Sequence, residues 1–212
     1  MSEGRPTGSR SGPRRALLLT AVALTAALVG VLLFWTPAAP EDPPAGGVPL
    51  GTPVDFTLRS PAGPLHLADL RGKVVLVYFG YTSCPDVCPT SLAATAAGLR
   101  RLAPAELAQV VTLFVSVDPE RDTQPRLGEY AGFFHPSILG VTGSPRAVAE
   151  AARPFGAVYR KQIVSGATGY VVDHSALTYV VAPDGRFVAR LPHAAPADQV
   201  VETVRRYLPA HP

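Results

Sequence analysis

Apolar and polar positions along the chain follow three successive patterns. From Ala16 to Trp35, ALLLTAVALTAALVGVLLFW runs for twenty residues without a charge. At a rise of about 1.5 Å per residue this matches a bilayer core of roughly 30 Å, and predicts a transmembrane helix over 16–35. TPAAPEDPPAGGVPL (36–50) follows, rich in proline and glycine, and reads as an extended tether. From about Val54 onward, apolar runs suited to strands alternate with segments of helical period. VVLVYF (74–79) and VVTLFVSV (110–117) are continuous β-branched and aromatic runs, as expected of strands covered on both faces. Between them, Pro89 to Leu102 places Leu92, Ala96, Leu99 and Leu102 on one stripe, so the three segments form a βαβ unit. Further helices are predicted over 124–134, 145–155 and 196–208. LTYVV, the turn A-P-D-G and RFVARL (177–191) make a hairpin.

The resulting architecture is α/β, a mixed central sheet flanked by helices in one domain over 51–212, behind an N-terminal segment 1–15, the helix 16–35 and the linker 36–50. In such a sheet the cysteine-bearing stretch falls at the carboxyl end of a central strand, where ligands of open α/β sheets bind.

Charge changes this picture in two ways. The net charge is +3, and Arg5, Arg10, Arg14 and Arg15 supply much of the excess, leaving the body near neutral without a basic stripe for nucleic acid. The same arginines precede the apolar run while Glu41 and Asp42 follow it. The positive-inside bias therefore puts the N-terminus in the cytoplasm and the domain on the extracytoplasmic side of the cell membrane. A cleaved signal peptide is the competing reading, disfavoured by the length of the apolar run and by the poor cleavage site in TPAAPED.

The chain has two cysteines, Cys84 and Cys88, both in YFGYTSCPDVCPTS (78–91) and each followed by proline. They could be a structural staple, a thiol-disulfide switch or part of a metal site. A staple closing so short a loop contributes little in a domain with core enough of its own. Pro89 is suited to a first helical position, which places Cys88 at a helix N-terminus and predicts a depressed thiol pKa there. A thiolate is both metal ligand and nucleophile, so spacing alone does not separate switch from metal site. Of the five histidines, His66, His135, His193 and His211 fall in hairpin or proline-flanked surface segments. His174, in YVVDHSALTYVV, ends one apolar run just before a strand expected near the sheet centre.

FGYTSCPDVCPTS, SVDPERDT (116–123) and VDHSALTYVVAPDG (172–185), in this order behind one apolar helix, resemble the Sco/SenC family of copper-binding, thioredoxin-like proteins that help assemble cytochrome c oxidase. The resemblance covers residues 50 to 208. It implies a thioredoxin-like fold and a copper site formed by Cys84, Cys88 and His174, with Cys84 and Cys88 also able to cycle as a redox disulfide. Soft thiolates suit Cu(I) and imidazole suits copper in either oxidation state. Zinc would want a fourth ligand, which no other cluster of Cys, His or Glu supplies. By the same pattern Asp173 is placed to orient His174. Asp118 also falls on the pattern, and with Arg121 and Asp122 is expected to shape the loop beside the site, since Asp-Pro starts turns well. No residue is read as catalytic.

Two functions follow. One is a membrane-anchored metallochaperone that passes copper to the binuclear centre of the oxidase's copper-bearing subunit, with other copper chaperones or a thiol reductant as further partners. The other is a thiol-disulfide oxidoreductase that keeps the target's cysteines reduced. Peroxide reduction on the same fold is a more distant third.

Overall fold

The computed structural model describes residues 13–34, 47–163 and 169–209. The chain forms two compact units, Met1–Asp42 and Pro43–Pro212. The first contains α1 (Pro13–Phe34), a helix of 22 residues over the stretch expected to span a membrane. Its side chains are described over 17–26 and at 30, and among these Leu17, Leu18, Leu19, Val22 and Leu24 are exposed. Among the described residues no helix is long and apolar enough to cross a membrane.

The second unit opens with the hairpin β1 (Thr57–Ser60) and β2 (Gly63–His66), followed by β3 (Val74–Gly80), α2 (Val87–Leu99), the single turn α3 (Pro104–Leu107) and β4 (Val110–Ser116). Then come α4 (Gln124–Phe134), β5 (Ile138–Val141), α5 (Pro145–Ala152), β6 (Tyr159–Ile163), β7 (Tyr170–His174), β8 (Thr178–Val181), β9 (Phe187–Leu191) and α6 (Ala197–Tyr207). Five strands form the central sheet in the order β5-β4-β3-β8-β9. β3, β4 and β5 run parallel, whereas β8 and β9 join antiparallel, so the sheet is mixed. Every residue of β3 and β4 is buried, as their unbroken apolar runs require of strands covered on both faces. β6 and β7 pair with each other in a separate two-stranded sheet.

Among the boundaries that differ from those expected, three bear on the architecture. α2 starts at Val87, two residues before Pro89, which brings Cys88 inside the helix. α5 stops at Ala152, and Arg153–Phe155 continues as a tighter turn closed by Gly156 in the left-handed region. Pro154, lacking an N–H, cannot extend the α-helical ladder. The tether expected through Leu50 also docks earlier: Val48 packs on the core, and its N–H donates to the Pro154 carbonyl at 2.8 Å. Gly47 passes so close to this turn that a Cβ there would lie 2.5 Å from the Gly156 nitrogen. Residues 1–12, 35–46, 164–168 and 210–212, with His211, lie outside the described residues.

Candidate metal centre

The centre is assembled where β3 ends. After Gly80 the chain turns, with the Cys84 N–H donating to the Tyr81 carbonyl at 3.2 Å, and re-enters regular structure at α2. Cys88, the second residue of that helix, is fully buried, and its sulfur rests against the backbone of Gly80. A Cβ at Gly80 would stand 2.6 Å from Cys88 Sγ, so any other side chain would displace the sulfur. The orientation of the first helical turn has a direct consequence. The Cys88 N–H, free of an intrahelical partner, points back to Cys84 Sγ at 3.4 Å.

His174 arrives from the separate hairpin as the last residue of β7, just before β8, whose Thr178 pairs with Tyr78 of β3. Its Nε2 lies 3.2 Å from Cys88 Sγ and 3.7 Å from Cys84 Sγ. The other ring nitrogen, Nδ1, faces the Ser175 carbonyl at 3.1 Å. A carbonyl only accepts, so Nδ1 carries the proton and the Nε2 lone pair is left facing the sulfurs. Tyr78 and Tyr81 stand edge-on to the imidazole, with ring centroids 6.1 and 5.8 Å away. The three donor atoms lie within 4.8 Å of one another, and among the described residues no further Cys, His, Asp or Glu joins the cluster.

The two thiols are unlike. Cys84 is lowered to about 4, chiefly by the hydrogen bond it accepts from the Cys88 thiol, helped by the N–H groups of Cys88 and Asp86, against burial. Cys88 is pushed upward, first by donating that bond and then by burial. The expected depression of Cys88 is therefore corrected. The helix N-terminus aims its N–H at the preceding cysteine, so the stabilised thiolate is Cys84. Burial is also the main cause that raises the Tyr78 and Tyr81 hydroxyls.

The acidic residues stand one contact further out. Asp122, buried, accepts from the Thr82 N–H at 3.0 Å, the Thr82 hydroxyl at 2.6 Å and the Ser116 hydroxyl at 2.6 Å. It ties the start of the cysteine loop to the end of β4. Arg126 holds the same loop from outside through Thr82 Oγ1 at 2.6 Å and Ser83 Oγ at 3.2 Å. Asp118, fully buried, pairs with Arg121 and accepts from the Tyr170 hydroxyl at 2.7 Å; it touches none of the three donors. Asp173 does not orient His174. Successive residues of a strand point to opposite faces, so Asp173 is exposed and takes the Gln162 amide at 2.9 Å, while the Ser175 carbonyl serves Nδ1. His66 bonds Thr57, His135 bonds Ser137 and His193 bonds Ser91, all apart from the cluster. Sequence reasoning missed Tyr78, Tyr81, Tyr170 and Arg126. The aromatic residues flanking each donor were visible as a pattern, but nothing in spacing assigns them to one ring.

Known proteins resemble this chain at both levels. The mitochondrial protein SCO2 homolog of Bos taurus is 40% identical over 158 residues, covering 74% of this chain and 59% of that protein. The mitochondrial protein SCO1 of Saccharomyces cerevisiae is 36% identical over 163 residues, covering 70% and 55%. The chain thus spans less than two thirds of the length of these curated relatives. Among solved structures, apo Sco1 from Thermus thermophilus superposes with a TM-score of 0.68 at 46% identity, over 73% of this chain and 91% of that one. ScoI from Arabidopsis thaliana with copper bound gives 0.67 at 34% identity, over 74% and 97%. The SCO1/SenC family model matches residues 51–209, the whole span from the first hairpin to the last helix, and the chain belongs to the SCO1/SenC family.

Proposed function

We propose that this protein is a membrane-anchored copper metallochaperone that carries copper as cargo on Cys84 Sγ, Cys88 Sγ and His174 Nε2 and passes it to the copper-bearing subunit of cytochrome c oxidase. The observation that carries the reading is the convergence of two sulfurs and one oriented imidazole nitrogen within 4.8 Å. Two thiolates and an imidazole form a soft to borderline donor set that suits Cu(I) and accommodates Cu(II). Zinc normally takes four ligands, and this cluster has three. Three donors leave room for an acceptor to add a ligand before the carrier gives one up, so transfer by exchange has a path. The copper-bound structure of the Arabidopsis thaliana relative supports the cargo. The motif resemblance supports the oxidase as destination.

The anchor in this reading is the apolar run 16–35, whose exposed leucines on α1 want an apolar surrounding. The positive-inside bias of the arginines before it supports a cytoplasmic N-terminus with the domain on the extracytoplasmic side. Loading the site releases the Cys88 proton, because metal binding requires the thiolate.

Anaerobic competition titration of the full chain with cuprous ion tests the reading. His174→Ala is expected to weaken binding at least about tenfold while leaving oxidation of Cys84 and Cys88 to a disulfide intact. Unchanged affinity in that variant removes His174 from the site. A second reading, a thiol-disulfide oxidoreductase, is favoured by one observation: a stabilised Cys84 thiolate beside a protonated partner thiol is the arrangement of a dithiol switch. Disulfide exchange that survives His174→Ala at full rate, in a protein that binds no copper, would establish it instead.

A further inference from the structure

His174 is the one donor that does not share a continuous element with the other two. Cys84 and Cys88 are fixed by the loop after β3 and the first turn of α2, whereas His174 ends a two-stranded sheet with no backbone ladder to the central sheet. Something other than sheet hydrogen bonding must hold that hairpin over the sulfurs.

β7 alternates faces, so Tyr170, Val172 and His174 point the same way, and each is gripped from the body. The Val172 N–H donates to the Tyr81 hydroxyl at 3.3 Å. Tyr170, at the far end of the strand from His174, is gripped most heavily. Its hydroxyl donates to Asp118 Oδ1 at 2.7 Å, and its carbonyl accepts from Arg121 Nη1 at 2.9 Å. Its ring lies under the Arg121 guanidinium, 3.8 Å from the ring centre, with Lys161 over the same ring at 4.7 Å. Arg121 is held in place by its ion pair to fully buried Asp118, and its guanidinium also faces the Tyr81 ring at 5.5 Å. The Lys161–Glu120 pair at 2.6 Å joins the other strand to the same loop. The loop 116–122 thus binds the start of β7 through a charge-assisted bond, a backbone bond and a cation–π stack together.

We infer that Asp118, Arg121 and Tyr170 form a latch whose role is to position His174: they hold the β6–β7 hairpin closed on the cysteine loop, and the affinity of the three-donor site for copper depends on them although none touches the donors. The inference rests on the metal-binding reading given above. It assigns Arg121 and Tyr170 as positioning residues, acting through the strand rather than on the ion.

The test is a double-mutant cycle on the full chain, read by anaerobic cuprous ion competition and by the sulfur-to-copper charge-transfer band after adding Cu(II). Arg121→Ala is expected to weaken cuprous binding by about tenfold in the wild-type background. In the His174→Ala background it is expected to have no further effect, because the residue it positions is gone. Arg121→Lys, which keeps the charge but loses the planar stack and the fork of donors, falls between. A loss of similar size in both backgrounds would mean that Arg121 acts on general stability and would overturn the inference, as would no loss in either. If Arg121→Ala does not fold, Tyr170→Phe carries the same cycle with the removal of a single hydroxyl and an expected loss of roughly threefold. Failure of the parent reading looks different: His174→Ala alone then leaves affinity unchanged, and the latch falls with it.

Discussion

At Cys84 and Cys88 two identical side chains are driven apart by position, one in the loop before α2 and one in its first turn. Cys84 receives the donors and becomes the anion, while Cys88 gives its hydrogen and is buried against Gly80. The sign of the pH dependence follows. Cys84 titrates at about 4 when folded, against 9.0 for an unperturbed thiol, so the metal-free reduced protein gains stability from it. That gain is full above the unfolded value and is lost as pH falls toward the folded one. Ultraviolet titration of the reduced protein is therefore expected to show one thiolate at neutral pH, disappearing on acidification through about 4 and absent in Cys84→Ser. Cys88→Ala removes the main donor to Cys84 and moves the midpoint upward. A single transition near the ordinary thiol value in the wild type would contradict the assignment of roles.

Between β3 and α2 the cysteine loop has no ladder of its own, and Asp122 substitutes for one by binding Thr82 twice and Ser116 once. Asp122→Ala removes the acceptor of the half-buried Thr82 N–H and of the Thr82 and Ser116 hydroxyls, a cost of about 1–3 kcal/mol. The expected result is a lowered melting temperature together with faster alkylation of Cys84, measured side by side on the metal-free protein; a destabilised variant with unaltered Cys84 reactivity would detach Asp122 from the loop. Much at this scale was legible in the sequence. The buried strands announced themselves by unbroken β-branched runs, α2 by its stripe of Leu92, Ala96 and Leu99, and the three donors by motifs resembling those of a known family. What was illegible depends on direction rather than spacing. Pro89 suggested a helix start, but the chain enters helical geometry two residues earlier, which turns the Cys88 N–H toward Cys84. Likewise Asp173 adjoins His174 in sequence yet faces away, because neighbours on a strand point to opposite sides. Of the two paired strands, β6 (YRKQI) is polar and mixed and carries little strand signal.

The domain as a whole begins where Gly47 and Val48 seal the turn after α5. A fragment starting at Gly47 is expected to fold and to bind cuprous ion like the full chain. One starting at Thr57 loses the Val48 bond and the Gly51 N–H bond to Phe187, and is expected to melt at lower temperature. Calorimetry of the two fragments decides; equal melting temperatures would mean that residues 47–56 are dispensable. At this scale one contact made by a single ring acquires a wider meaning. The imidazole of His174 is boxed by two tyrosine edges and pinned at its rear nitrogen, so it has little freedom to swivel away from a bound ion. On the copper-carrying reading proposed above, freeing an ion from this ring calls for displacement of the strand that bears it, and such backbone motion typically takes microseconds or longer.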